Sequence, residues 1–122
     1  MARILIVDDA AFMRGSLKYI MESAGHNVVG EAANGQEALK LYRKHQPDIV
    51  IMDILMREMD GLAALGAIKK DDPGAKVIMV SALGIDETKK EAEELGALGY
   101  ITKPFKQSEI VDEIAKVLAS AG

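Results

Sequence analysis

Cysteine is absent from the 122 residues of this chain, and with it go disulfide bonds, thiolate nucleophiles and zinc–thiolate sites. Long apolar runs are missing too. Wholly apolar stretches such as Ile4 to Val7, Ile49 to Met52 and Val77 to Val80 fall far short of the roughly 20 residues that a membrane span needs, so we expect no membrane insertion. The opening Met1-Ala2-Arg3-Ile4 runs directly into strand-like sequence, without the basic, apolar and small-residue tract of a secretory signal, and the expected location is the cytoplasm. Positive charge is not in excess: 15 Lys and Arg stand against 19 Asp and Glu, for a net charge of -4, and the basic residues are scattered. That argues against a track for a nucleic-acid backbone and in favour of protein partners.

What is present is enough apolar residue, 49% of the chain, to build one core, and we expect one domain over residues 1–122 with no linker. Three apolar runs of Ile, Leu, Val and Met do not alternate, as expected of strands covered on both faces in a parallel sheet. Between them the period becomes helical. From Ala11 to Ala24 the residues Met13, Leu17, Ile20, Met21 and Ala24 share one stripe, and Gly25 follows where a left-handed cap is wanted. Asn34 with Glu37 resembles a capping box, and Ala38, Leu39 and Tyr42 continue a second helix until Pro47 forbids more. Further helices are expected over Gly61 to Lys70, despite Gly66 at about 1 kcal/mol relative to Ala, over the polar Asp86 to Leu95, and over Gln107 to Ala119. Strands are expected near Arg3 to Val7, Val28 to Ala32, Ile49 to Asp53, Lys76 to Ser81 and Gly99 to Thr102.

Strands alternating with helices in this way require right-handed crossovers, hence an α/β fold with a doubly wound parallel sheet. A ligand site in such a sheet lies beyond the carboxyl ends of the strands. The residues found there are Asp8 and Asp9, Asp53, Ser81, and Lys103-Pro104. Three carboxylates at one sheet edge repel one another and are tolerable with proton uptake or a bound cation. All-oxygen ligation suits Mg²⁺, which keeps several waters and accepts phosphate oxygens. With a lysine and a hydroxyl nearby, the set describes a phosphoryl-binding site in which a carboxylate can itself be the nucleophile.

These residues carry a resemblance. The segments Ile6-Val7-Asp8-Asp9, Met52-Asp53-Ile54 followed by Met56 and Met59-Asp60-Gly61, Val80-Ser81-Ala82 and Lys103-Pro104-Phe105 resemble the receiver domains of response regulators, and Asp8 to Arg14 resembles the stand-alone, CheY-like chemotaxis branch. The resemblance implies a single (βα)5 domain with the flavodoxin-like strand order 2-1-3-4-5. It implies that Asp53 accepts a phosphoryl group from a CheA-like sensor histidine kinase. Asp8, Asp9, Asp53 and the Leu55 backbone carbonyl would bind Mg²⁺, with Mn²⁺ able to substitute, while Ser81 and Lys103 hold the phosphoryl group. A cis bond between Lys103 and Pro104, a monomeric state, and a rotamer change of Tyr100 coupled to Ser81 are also implied. The readout would be the face formed by the fourth helix, fifth strand and fifth helix, binding a target such as a flagellar or archaellar motor component, with a phosphatase resetting the switch. The chain would not be an enzyme for a separate substrate, although it assists its own phosphorylation and dephosphorylation.

Plainer readings stand beside these. Asp8 and Asp9 could cap the first helix. Tyr100 could equally be ordinary strand packing. Met56 and Met59 read as core fillers, His26 and His45 as surface residues without partners, and Glu91, Glu93 and Glu94 as a solvated helix face. Rival functions are a phosphorelay intermediate, a haloacid dehalogenase-type phosphohydrolase and a flavodoxin. The phosphohydrolase places its two acids two residues apart, unlike Asp8-Asp9. The flavodoxin needs donors where this chain has acids.

Arg57 departs from the family's usual proline, and we expect it to contact the phosphoryl group or an acid of the site. Leu55 and Leu83 flank the path of an attacking water and offer it no hydrogen bond, so a slow loss of the phosphoryl group is expected. Polar replacements at both positions should shorten the acyl phosphate lifetime, followed by decay of the phosphorylated mass; an unchanged lifetime would refute the idea.

Overall fold

The computed structural model describes residues 2–56, 59–82 and 86–120. Strands β1 (Arg3–Val7), β2 (Asn27–Ala32), β3 (Ile49–Asp53), β4 (Val77–Ser81) and β5 (Gly99–Thr102) alternate with helices α1 (Ala11–Ser23), α2 (Gly35–His45), α3 (Gly61–Asp71), α4 (Asp86–Glu94) and α5 (Gln107–Ala119). The strands form one parallel sheet in the order β2-β1-β3-β4-β5, as the resemblance implies.

The non-alternating runs have a direct explanation. Leu5, Val7, Val50, Met52, Val77 and Met79 face a core completed by Ala38 and Tyr42 of α2, Ala64, Leu65 and Ile68 of α3, and Ala92 of α4. Their neighbours Ile4, Ile6, Ile49, Ile51, Ile78 and Val80 face the opposite core, against Leu17, Ile20 and Met21 of α1 and Ile110, Ile114 and Val117 of α5. Each fully buried aliphatic side chain contributes about 1.5–3 kcal/mol, so β1, β3 and β4 are anchored through both faces of the sheet. Met56 and Met59 pack against the first core, as expected of gap fillers.

Helix ends follow local chemistry. Gly25 has φ 90° just past α1 and donates its N–H to the Glu22 carbonyl at 3.1 Å. Asn34 caps α2 by accepting from the Glu37 N–H at 2.8 Å, while the Glu37 carboxylate accepts from the Ala33 N–H, one residue earlier than a strict capping box. Asp60 caps α3 through the Ala63 N–H at 2.9 Å. At the far end of α5 the Lys76 ammonium donates to the carbonyls of Leu118 and Ser120, where the helix dipole favours a cation.

Two details differ from expectation. His26 is half-buried rather than a partnerless surface residue: its Nδ1 accepts the Ala2 N–H at 3.1 Å. Burial, with a positive charge nearby, lowers its pKa and favours the neutral ring that this bond needs. His45 is also half-buried. Glu91, Glu93 and Glu94 are exposed, as expected. No helix among the described residues is long and apolar enough to cross a membrane.

Two glycines permit close approaches. A Cβ at Gly99 would lie 2.6 Å from Oε2 of Glu113, so the bare strand lets that carboxylate accept the Tyr100 N–H at 3.3 Å along the sheet margin. A Cβ at Gly61 would overlap the Asp53 carbonyl oxygen and lie 2.7 Å from the Ile54 Cα, because the Gly61 N–H donates to the Ile54 carbonyl at 2.8 Å. The start of α3 is thereby clamped to the end of β3. We expect Gly61→Ala to cost at least about 2 kcal/mol, read as a lowered urea midpoint, because backbone and not a flexible side chain must move.

Candidate functional site

Strand register brings the acids together. Val7 lies beside Met52 and Asp53 beside Val80, so the residues ending β1, β3 and β4 emerge as neighbours at one edge of the sheet. Asp8 is 2% exposed, Asp53 7% and Ser81 0%, and these are the buried polar side chains among the described residues. Asp9 is exposed and gives the cluster its opening to solvent. One carboxylate oxygen from each of Asp8, Asp9 and Asp53 lies within 4.8 Å of the others.

Lys103 reaches this group from β5. Its own N–H donates to the Ser81 carbonyl at 2.8 Å, and its bond to Pro104 is cis, as the resemblance implies. The ammonium lies 3.1 Å from Oδ2 of Asp8 and 3.3 Å from Oδ2 of Asp53, bridging both buried carboxylates. Three carboxylates against one ammonium leave two negative charges in excess when all are ionised.

The electrostatics follow from that imbalance. Burial raises the Asp53 pKa, and Asp8 pushes the same way; Lys103 and the Leu55 N–H oppose the shift without cancelling it. For Lys103, burial alone would lower the pKa, but the Asp53 and Asp8 carboxylates outweigh it and hold the ammonium above its usual value. The lysine is therefore a fixed positive charge at neutral pH.

Asp8 is not a helix cap. The N-cap of α1 is Ala10, which lacks a capping side chain, and Oδ1 of Asp8 accepts the Ala10 N–H at 2.9 Å. Nη1 of Arg14 donates to the Asp8 carbonyl at 2.7 Å, and its Nε pairs with Glu31 at 3.5 Å. Arg14 thus fixes the Asp8 backbone, a positioning role that sequence reasoning missed. The available signal was a cation one turn into the helix that follows two acids. Sequence reasoning also left Tyr100 between two readings. Its ring packs against the α2–α3–α4 side of the sheet, and its hydroxyl oxygen is buried without a hydrogen-bond partner among the described residues. Such an orphan costs about 1–3 kcal/mol, which ordinary packing does not explain. Leu55 projects its side chain outward, 54% exposed. Arg57 and Leu83 lie outside the described residues.

The donor set fits a hard divalent cation: oxygen atoms alone, excess negative charge and an open side for water.

Residues 4–115 match the response regulator receiver domain family. The chain belongs to that family. This receiver domain is 51% identical over 115 residues to the chemotaxis protein CheY of Thermotoga maritima, covering 94% of this chain and 96% of that protein. It is 48% identical to CheY of Bacillus subtilis, covering 95% and 97%. Among solved structures, a CheX-CheY-BeF3-Mg²⁺ complex from Borrelia burgdorferi superposes with a TM-score of 0.94 at 38% identity, covering 97% of this chain and 90% of that one. The receiver domain is accordingly a response regulator of two-component signalling, not a classical enzyme.

A raised carboxylate pKa means that the folded state holds its proton more tightly than the unfolded chain. For Asp53 the resulting penalty on folding is absent below the unfolded pKa and grows as pH rises through the folded one. In metal-free buffer at neutral pH, Asp53→Asn should therefore stabilise the receiver domain, a gap that closes on acidification. Thermal melts of both proteins across pH check this.

Proposed function

We propose that Asp53 is the phosphoacceptor of this response regulator. A carboxylate oxygen of Asp53 attacks the phosphorus of a phosphohistidine on a sensor kinase, the P–N bond breaks, and the imidazole leaves with its electron pair. Asp8, Asp9, Asp53 and the Leu55 carbonyl would hold Mg²⁺, which supplies neutralisation of charge building on the phosphoryl oxygens. Lys103 places a second positive charge there, and the Ser81 hydroxyl donates to a phosphoryl oxygen. The observation that carries this reading is Lys103 spanning two buried carboxylates at the sheet's ligand-binding edge.

The output follows from the same atoms. Drawing Ser81 and Lys103 onto a new dianion perturbs β4 and β5, and Tyr100 lies on β5 with an unsatisfied hydroxyl that can exchange positions. The face of α4, β5 and α5 would then engage a target protein. Nearly full-length similarity to two chemotaxis proteins favours chemotaxis, with a motor component as target and a phosphatase as the resetting partner. The Borrelia complex, which holds CheX beside BeF3 and Mg²⁺, supports a partner that acts on the phosphorylated form.

Incubation with acetyl phosphate and Mg²⁺ should add the mass of one phosphoryl group to the wild type and none to Asp53→Asn, while chelation should abolish labelling. Equal labelling of the variant would remove Asp53 from the role. Phe12 is 86% exposed on the first turn of α1, and such an exposed aromatic would serve as an anchor for the kinase. Phe12→Ala should slow transfer from the kinase about tenfold and leave acetyl phosphate labelling unchanged, measured by radiolabel transfer.

A further inference from the structure

An open groove of about 390 Å³ runs between α3 and α4, apart from the acidic cluster, lined by Asp60, Leu62, Ala63, Gly66, Glu91 and Leu95. Its floor is apolar. Leu62 is half-buried and Leu95 is 37% exposed, an aliphatic side chain left partly in water. Gly66 sits inside α3, where glycine disfavours helix, and a Cβ there would meet nothing closer than Cδ2 of Leu95 at 3.9 Å. Packing within the chain therefore gives no reason for glycine. What its bare backbone does is keep the floor of the groove open.

The rim has one sign of charge. Both ionisable groups in the lining, Asp60 and Glu91, are carboxylates, and neither has an ion-pair partner among the described residues. Asp60 accepts the Ala63 N–H as the N-cap of α3, so a helix end and not a side-chain cation faces its carboxylate. Along α4, exposed Lys89 and Lys90 stand against Asp86, Glu87, Glu91, Glu93 and Glu94, five acids to two lysines, so the helix as a whole stays negative.

The geometry points to this groove as a docking site for a partner polypeptide segment that seats an aliphatic side chain over Gly66 and sets a Lys or Arg between Asp60 and Glu91. Charge complementarity selects that occupant. A second copy of this chain, at a net charge of -4, would bring like charge against the rim. The site requires neither the phosphoryl group nor a metal, so it stands or falls separately from the function of Asp53.

The probe is a short amphipathic peptide of Leu and Lys at helical spacing, with a Leu and Glu counterpart as control, titrated into the isotopically labelled, unphosphorylated full chain. The Leu and Lys peptide should shift the amide resonances of Ala63, Gly66, Glu91 and Leu95, and added salt should weaken it. Gly66→Leu and Glu91→Lys should each weaken binding about tenfold and leave acetyl phosphate labelling intact. Should Gly66→Leu fail to fold, Gly66→Ala serves: it should raise the melting temperature and weaken the peptide. Equal binding by the Glu peptide, shifts centred elsewhere, or undiminished affinity in the folded variants would overturn the proposal. So would a concentration-dependent dimer in sedimentation that Gly66→Leu abolishes.

Discussion

Lys103, held between Asp8 and Asp53, is the contact on which the rest of the site depends. Two carboxylates with almost no exposure to water would be intolerable side by side without it. The lysine is in turn delivered by the pairing of β4 with β5, through its N–H on the Ser81 carbonyl. Asp8 is fixed from behind by Arg14, and the strand bearing Asp53 is clamped by Gly61. A single ammonium therefore joins the first, third and fifth strands. Even so it does not balance the charge, and that shortfall is what makes the edge receptive to a cation.

Much of this was legible from residue types and spacing. Non-alternating runs fixed a sheet covered on both sides, and the acids, hydroxyl and lysine at strand ends marked the correct edge. Helix ends were nearly right because Asn34, Gly25 and Pro47 act locally. Register was not legible in detail, since a pattern apolar on both parities does not say which residue meets which. Arg14 and His26 were missed for a related reason: their partners, the Asp8 carbonyl and the Ala2 amide, are backbone atoms, and a backbone partner leaves no trace in residue type.

Helices α4 and α5 are anchored unequally. Among the described residues Ala92 is the buried side chain of α4, whereas α5 buries Ile110, Ile114 and Val117. On β5, Tyr100 keeps a hydroxyl without a hydrogen-bond partner among the described residues. A helix held by few buried side chains shifts at a smaller free-energy cost than a strongly anchored one. A firmly packed charged edge and a more lightly anchored helix thus coexist on one sheet.

Glu113 closes the other side of β5. An outer strand normally leaves amides free to pair with a strand from a neighbouring molecule, and such pairing is how many sheet proteins polymerise. Here the outward amide of Tyr100 is already engaged by a carboxylate that reaches it over Gly99. Any foreign strand seeking that border must first expel an anion from its bond. At Tyr100 the molecule thus shields its outer strand with one of its own side chains, with no further element laid over the border.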